Sequence, residues 1–159
     1  MEKLRSGDDL SEWVRQSQIL DTAVRVTSAQ LVQARQLREA MFRLIAGLID
    51  GRPPAAGDRE LVNKAAARPQ PRLELAGDGQ VRRRGDLSAV LAVVAQDCID
   101  LFESPDREAL HWCADAACTR PFIDRSRGHR RRWCGMKGCG DRAKAAAYRE
   151  RQRRAKTVA

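Results

Sequence analysis

Four cysteines, Cys113, Cys118, Cys134 and Cys139, constrain the C-terminal third of this chain more than any other feature. They form two C-x4-C pairs separated by fifteen residues. Two short loops that each present two sulfurs suit a tetrahedral metal site. Zinc is the metal whose structural environment is most often four thiolates. Gaps inside such pairs are more often shorter than four residues, so disulfides or free thiols stay open as the other uses of these residues.

The chain has 159 residues and a net charge of +9, enough for one medium domain or one domain followed by a small module. From Arg107 onward there are 15 Lys and Arg against 5 Asp and Glu, a balance of +10, whereas the first 106 residues are nearly neutral at −1. All the excess charge therefore lies in the cysteine segment. Four thiolates and one Zn2+ would lower it only to +8, and a patch so basic concentrates polyanions around itself, of which nucleic acid is the usual one. No apolar run reaches membrane-spanning length, and Met1 to Asp9 alternates charges, so the expectation is a cytoplasmic, nucleoid-associated protein with no membrane partner. In a reducing compartment, clustered cysteines are more often metal ligands or redox groups than disulfides.

The first two thirds read as helices with one hairpin. Asp9 is placed to cap a short helix carrying Leu10, Trp13 and Val14, and Thr27 with Gln30 has the form of a capping box. Leu37, Met41, Leu44 and Leu48, widened by Ala34, Ile45 and Ile49, form one buried face of a longer helix. Gly51 and the Pro53-Pro54 pair end it. A shorter helix follows over 58–67. Leu73 and Leu75, the Gly77-Asp78-Gly79 turn, and Val81 with Arg82 to Arg84 then predict a hairpin. Asp86 caps a last helix with the stripe Leu87, Val90, Leu91, Val94, Cys98, Leu101 and Phe102. Cys98 reads as a small core residue without chemistry. Ser104-Pro105 marks the boundary, giving a helical domain over 1–106 and a basic module over 107–159.

Within that module Cys113 to Cys118 encloses only Ala-Asp-Ala-Ala, a knuckle. Pro121 to Asp124 and Arg130 to Trp133 suggest two short strands joined through Gly128, and Gly140-Asp141 opens a helix over 142–154. The fold class is thus mainly α with a small β-hairpin: a helical N-terminal domain, then a treble-clef-like zinc finger of knuckle, short hairpin and C-terminal helix. So small a unit depends on one structural Zn2+ for much of its folding energy. Trp112 and Trp133 each precede a cysteine pair and are expected to wall the metal site. His111 and His129 are alternative ligands only if one displaces a well-spaced cysteine. Tyr148 is expected to pack against the finger.

The run Arg132-Trp-Cys-Gly-Met-Lys-Gly-Cys-Gly-Asp-Arg142, followed by Ala143 to Arg151, resembles the CGNR-type zinc finger, as does Cys113-x4-Cys118-x3-Phe122-Ile-Asp-Arg-Ser126. Residues 1–106, with Leu37-Arg-Glu-Ala-Met-Phe-Arg43 and Asn63, resemble the mostly helical ABATE domain of bacterial proteins described as stress-induced transcription regulators. The resemblance implies that Cys113, Cys118, Cys134 and Cys139 hold the zinc. Two departures stand out: Asp141 replaces the asparagine of the family motif, and the opening residues lack the family's Asn-Thr pair.

Arg130, Arg131, Arg132 and Lys137 crowd the second cysteine pair, and the last helix carries Arg142, Lys144, Arg149 and Arg153. These eight are the candidate DNA contacts, most of them to phosphates. The expected function is a zinc-dependent DNA-binding transcription regulator whose N-terminal domain senses an effector or forms a homodimer. The alternatives are an adaptor that binds RNA or protein and a thiol redox switch. Enzymatic activity is not expected, because four thiolates leave no open position on a tetrahedral metal and the two histidines form no evident catalytic set.

Overall fold

The structure, a computed structural model, describes residues 2–157. It is about half helical and divides into two compact units, Met1–Phe102 and Glu103–Ala159. Among the described residues no helix is long and apolar enough to cross a membrane.

In the first unit, α1 runs over Gly7–Ser17. Its cap is Ser6, whose hydroxyl accepts from the Asp9 N–H at 3.2 Å while the Asp9 carboxylate accepts from the Ser6 N–H at 2.8 Å. Asp9 is therefore the third helical residue of a capping box and not the cap expected from sequence, because a serine three residues earlier offers the reciprocal pair of bonds. α2, Ser28–Ile49, opens with the expected Thr27–Gln30 box. Its most buried positions are Leu31, Ala34, Leu37, Ala40 and Leu44, and Met41 and Leu48 lie half-buried beside them. The helix stops at Gly51, whose φ of 68° is a left-handed conformation that costs glycine little.

α3, Ala56–Ala66, begins two residues before the expected Asp58, leaving that carboxylate in the first turn to pair with Arg43 of α2. β1, Arg72–Leu75, and β2, Val81–Arg84, form the expected antiparallel hairpin, with Leu73 opposite Arg83 and Leu75 opposite Val81. Arg83 ties it to the α1–α2 connection, its N–H donating to the Asp21 carboxylate and its carbonyl accepting from the Asp21 N–H. α4, Leu87–Asp100, is capped by the Asp86 side chain.

Two apolar clusters hold this unit. Leu10, Val14, Leu20, Leu31, Leu87 and Val90 make one; Leu37, Ala40, Leu44, Val62 and Ala95 make the other, and Leu91 packs against both. Cys98 is buried on the core side of α4, where burial, helped by the nearby Asp97 charge, pushes its thiol up to about 11. At neutral pH it is a protonated core residue, as its place in the apolar stripe suggests.

The second unit contains β3, Leu110–Trp112, antiparallel to β4, Pro121–Ile123, and then α5, Asp141–Thr157. This corrects the expected strand pairing. β4 is one of the two strands foreseen, but its partner precedes the first cysteine pair, and 130–133 is no strand. The reason lies in hydrogen bonding. The Arg131 N–H goes to the Asp124 carboxylate at 2.7 Å and the Arg132 carbonyl accepts from the Ala114 N–H at 2.8 Å, so neither group is free for a ladder to β4.

Candidate metal centre

The knuckle from Cys113 to Cys118 is the loop of the β3–β4 hairpin. Its base is closed by the Cys113 N–H donating to the Arg120 carbonyl at 3.1 Å, and its interior by the Cys118 N–H donating to the Asp115 carbonyl at 2.8 Å. The Ala117 N–H also donates to the Asp115 carboxylate at 3.0 Å, so the turn supplies its own acceptors. Cys134 leads into, and Cys139 lies on, a tight turn over Met136–Gly140 in which Gly138 has a φ of 98°. A side chain would strain this position. The two turns meet where the Ala114 N–H reaches the Arg132 carbonyl at 2.8 Å and the Cys134 N–H reaches the Cys113 sulfur at 3.5 Å.

All four sulfurs lie within 4.8 Å of one another. Cys118 Sγ is 3.8 Å and Cys139 Sγ is 3.7 Å from Cys134 Sγ. A disulfide needs about 2.05 Å, so these cysteines are unbridged thiols. A tetrahedron with metal–sulfur distances of about 2.3 Å has edges of about 3.8 Å. The cluster therefore has the size a zinc ion requires. Among the described residues it is the one group of His, Cys, Asp and Glu that gathers so closely.

The thiols also respond to one another. Burial pushes Cys113 up, but N–H donation from Cys134 and Asp115 and contact with the other cysteines outweigh it, bringing Cys113 down to about 7. Burial pushes Cys139 up to about 12, reinforced by Cys118, Cys134 and Cys113, and Cys134 also rises, first through burial. Cys113 thus forms its thiolate the more readily, while Cys134 and Cys139 are held back first by burial and then by their neighbours, the Cys113 charge among them. A divalent cation relieves that repulsion and favours all four as thiolates.

Arg142 braces the centre from α5. Its Nε and one terminal nitrogen donate to Asp115 Oδ2 at 2.9 and 2.6 Å, and that terminal nitrogen lies 3.1 Å from Cys139 Sγ. One guanidinium thus links the first knuckle to the second cysteine pair. The Asp115 carboxylate is held below its usual range, chiefly by the Ala117 N–H and then by Arg142.

Asp124, at the end of β4, is fully buried at 0% exposure. Its carboxylate accepts from the N–H groups of Ser126 and Arg131 at 2.9 and 2.7 Å, and its carbonyl is 2.8 Å from His129 Nδ1. The loop that carries Arg125, Arg127 and Arg130 is folded around this one side chain. Ser126 is the main reason its carboxyl lies low, against the upward push of burial. Sequence reasoning placed Asp124 at a strand end and missed this role. The available signal was an aspartate two residues before a serine, an Asx-turn pattern.

The eight candidate DNA contacts divide by what their side chains already do. Arg131 lies over the Phe122 ring, 5.2 Å from its centroid, and donates to the carbonyls of Trp133 at 2.8 Å and of Cys134. It is engaged within the finger, as Arg142 is. Arg153 pairs with Glu150, and Arg132 lies 5.5 Å from the centroid of Trp133. Arg130, Lys137, Lys144 and Arg149 are exposed and form no ion pair among the described residues.

Three aromatic and histidine expectations are also resolved. Trp112 and Trp133 are half-buried beside their cysteines. His129 is occupied by the Asp124 carbonyl and His111 faces Phe122 at 6.3 Å between rings, so neither joins the sulfur cluster. Tyr148 is 58% exposed and does not pack against the finger, because it stands on a helix flanked by alanines and charged residues with nothing apolar among the described residues to cover it. Asp141 has helical dihedrals and is the first residue of α5, where its charge favours the helix N-terminus instead of capping it.

Comparison with known families accounts for nearly the whole chain. Residues 1–105 match the ABATE family, described as "Putative stress-induced transcription regulator", and residues 110–152 match the CGNR zinc finger. No curated protein matches the chain. The four-cysteine centre lies inside the second match, as the finger requires, and the helical unit of α1 to α4 makes up the first. The chain belongs to the ABATE family and carries a CGNR zinc finger at its C-terminal end.

Proposed function

We propose that this protein is a DNA-binding transcription regulator whose finger is held together by one structural Zn2+ on Cys113, Cys118, Cys134 and Cys139. The ion cross-links the two turns and so supplies the stability that so small a unit lacks. Arg142, Asp115 and Asp124 orient the turns around it.

The observation that carries the DNA reading is the division among the cations. Arg131 and Arg142, though exposed, spend their guanidinium groups on acceptors within the finger, while Arg130, Lys137, Lys144 and Arg149 are exposed with no acidic partner among the described residues. Structural demand accounts for the first group and leaves the second. Lys144, Tyr148 and Arg151 recur at intervals of four and three, which places an exposed aromatic hydroxyl between two cations on one face of α5. Such a face matches a run of phosphates, which fix position without reading sequence.

The test is the salt dependence of duplex binding. The double substitutions Arg130→Gln with Lys137→Gln, and Lys144→Gln with Arg149→Gln, should each lower the slope of log K against log salt by about one unit for every phosphate no longer neutralised. An unchanged slope in both would remove the proposed surface. RNA or an acidic polymer competing as well as duplex DNA would favour the adaptor reading.

A further inference from the structure

We propose that an open cavity in the ABATE unit binds a small carboxylic acid with an apolar body, its carboxylate on Arg38 and its body against the apolar wall. The cavity has a volume of about 590 Å3 and lies among the N-terminal segment, α1, α2 and α4. That is within the range of small-molecule sites, about 300–1,000 Å3. Its wall is formed by Leu10, Trp13, Met41, Leu91 and Val94. Leu10 is fully buried at its floor, while Trp13, on the same helix, is 40% exposed although it sits beside the core. A tryptophan left that open beside an apolar hollow marks surface that an apolar ligand would cover.

The polar end of the cavity is specific for a carboxylate, and the chain itself shows the fit. Arg38 donates through both terminal nitrogens to the two oxygens of Glu2, each at 2.7 Å, in the parallel fork that suits a carboxylate. Arg38 is the chief reason the Glu2 carboxyl is lowered to about 2. The segment carrying Glu2 is fastened next to it, since Arg35 donates to the carbonyls of Leu4 and Arg5. Glu2 itself lies on the exposed rim, where water reaches and screens the pair, so another carboxylate can compete for the same fork. An incoming carboxylate can take its place on Arg38 and add the burial of an apolar body, which Glu2 lacks. Arg38 keeps its second partner, Glu39, and Lys3 also faces the cavity, so the rim stays cationic enough to receive an anion once Glu2 swings away.

The inference is independent of the DNA reading and is tested without nucleic acid. Isotope-labelled, zinc-loaded full-length chain is titrated with octanoate and, separately, with octan-1-ol, and followed by NMR. Octanoate should shift the Trp13 indole and the Met41 methyl and bind about tenfold more tightly than the alcohol, the worth of one good charge-assisted contact. Arg38→Met should abolish that preference while leaving the alcohol's affinity unchanged. Glu2→Gln should raise octanoate affinity severalfold, because the internal competitor is gone. The two substitutions move affinity in opposite directions, so general damage to the fold cannot imitate the pattern. Equal affinity for acid and alcohol, shifts centred elsewhere, or no shift at millimolar octanoate would overturn the proposal.

Discussion

Replacement of Asp124 by alanine tests how the finger is organised. The side chain is fully buried and its two oxygens receive the N–H groups of Ser126 and Arg131. Alanine leaves both N–H groups without an acceptor. Each N–H that loses its acceptor in this part-buried loop weakens the folded form by about a factor of ten. Because zinc binding and folding are one equilibrium in so small a unit, the loss should appear as a rise in zinc dissociation constant on the order of a hundredfold. The assay is competition with a chromophoric chelator on the full-length chain, with helical circular dichroism of the N-terminal unit as an internal control. Asn at the same position keeps one acceptor and should recover about half of the effect on a logarithmic scale. A zinc affinity for Asp124→Ala within threefold of the native value would refute the claim that this carboxylate holds the loop to the metal site.

Arg142→Ala removes the link between Asp115 and Cys139 and should raise the zinc dissociation constant about 10- to 100-fold, the usual effect of losing a group that orients a ligand; an unchanged affinity would count against that bracing role. Arg131→Gln should lower the thermal stability of the zinc-loaded finger and leave the salt slope of DNA binding unchanged, because its guanidinium is spent on the Trp133 and Cys134 carbonyls; a lower slope with normal stability would return Arg131 to the contact surface. Cys98 supplies a pH test. Its thiol is raised from 9.0 to about 11, so the stability it contributes is full below pH 9 and falls as pH rises through about 11. The loss is on the order of 2 kcal/mol and should be absent in Cys98→Ala, as read from denaturant melts of the N-terminal unit at pH 8 and 11.

What the sequence disclosed follows from how local each signal is. The Thr27–Gln30 box, the stop at Gly51 and the hairpin around Gly77 to Gly79 each depend on residues a few positions apart, and each stands in the fold where its chemistry places it. The cysteine pairs are legible for the same reason, since a C-x4-C turn is local even though the site is not. The pairing of β3 with β4 was not legible. It joins residues on either side of a metal knuckle, and the stretch 130–133, rich in arginine and tryptophan, reads equally well as a strand until Asp124 captures the Arg131 N–H. The same limit applies to the basic residues. Composition shows an excess of cations, but which of them are engaged within the finger depends on acceptors brought from afar, such as Asp115 for Arg142, 27 residues away. Tyr148 failed for the opposite reason: an aromatic among alanines suggests packing, yet on α5 it stays 58% exposed.

The central claim is that four thiolates hold one zinc and that the finger exists through it. Native mass spectrometry of the full chain, before and after a strong chelator, tests it most directly. The account predicts one zinc per chain, lost on chelation together with a shift to higher charge states as 103–159 unfolds, and four thiols newly open to alkylation while Cys98 stays protected in the core. A mass and charge distribution unchanged by the chelator, with the four cysteines unreactive throughout, would contradict it.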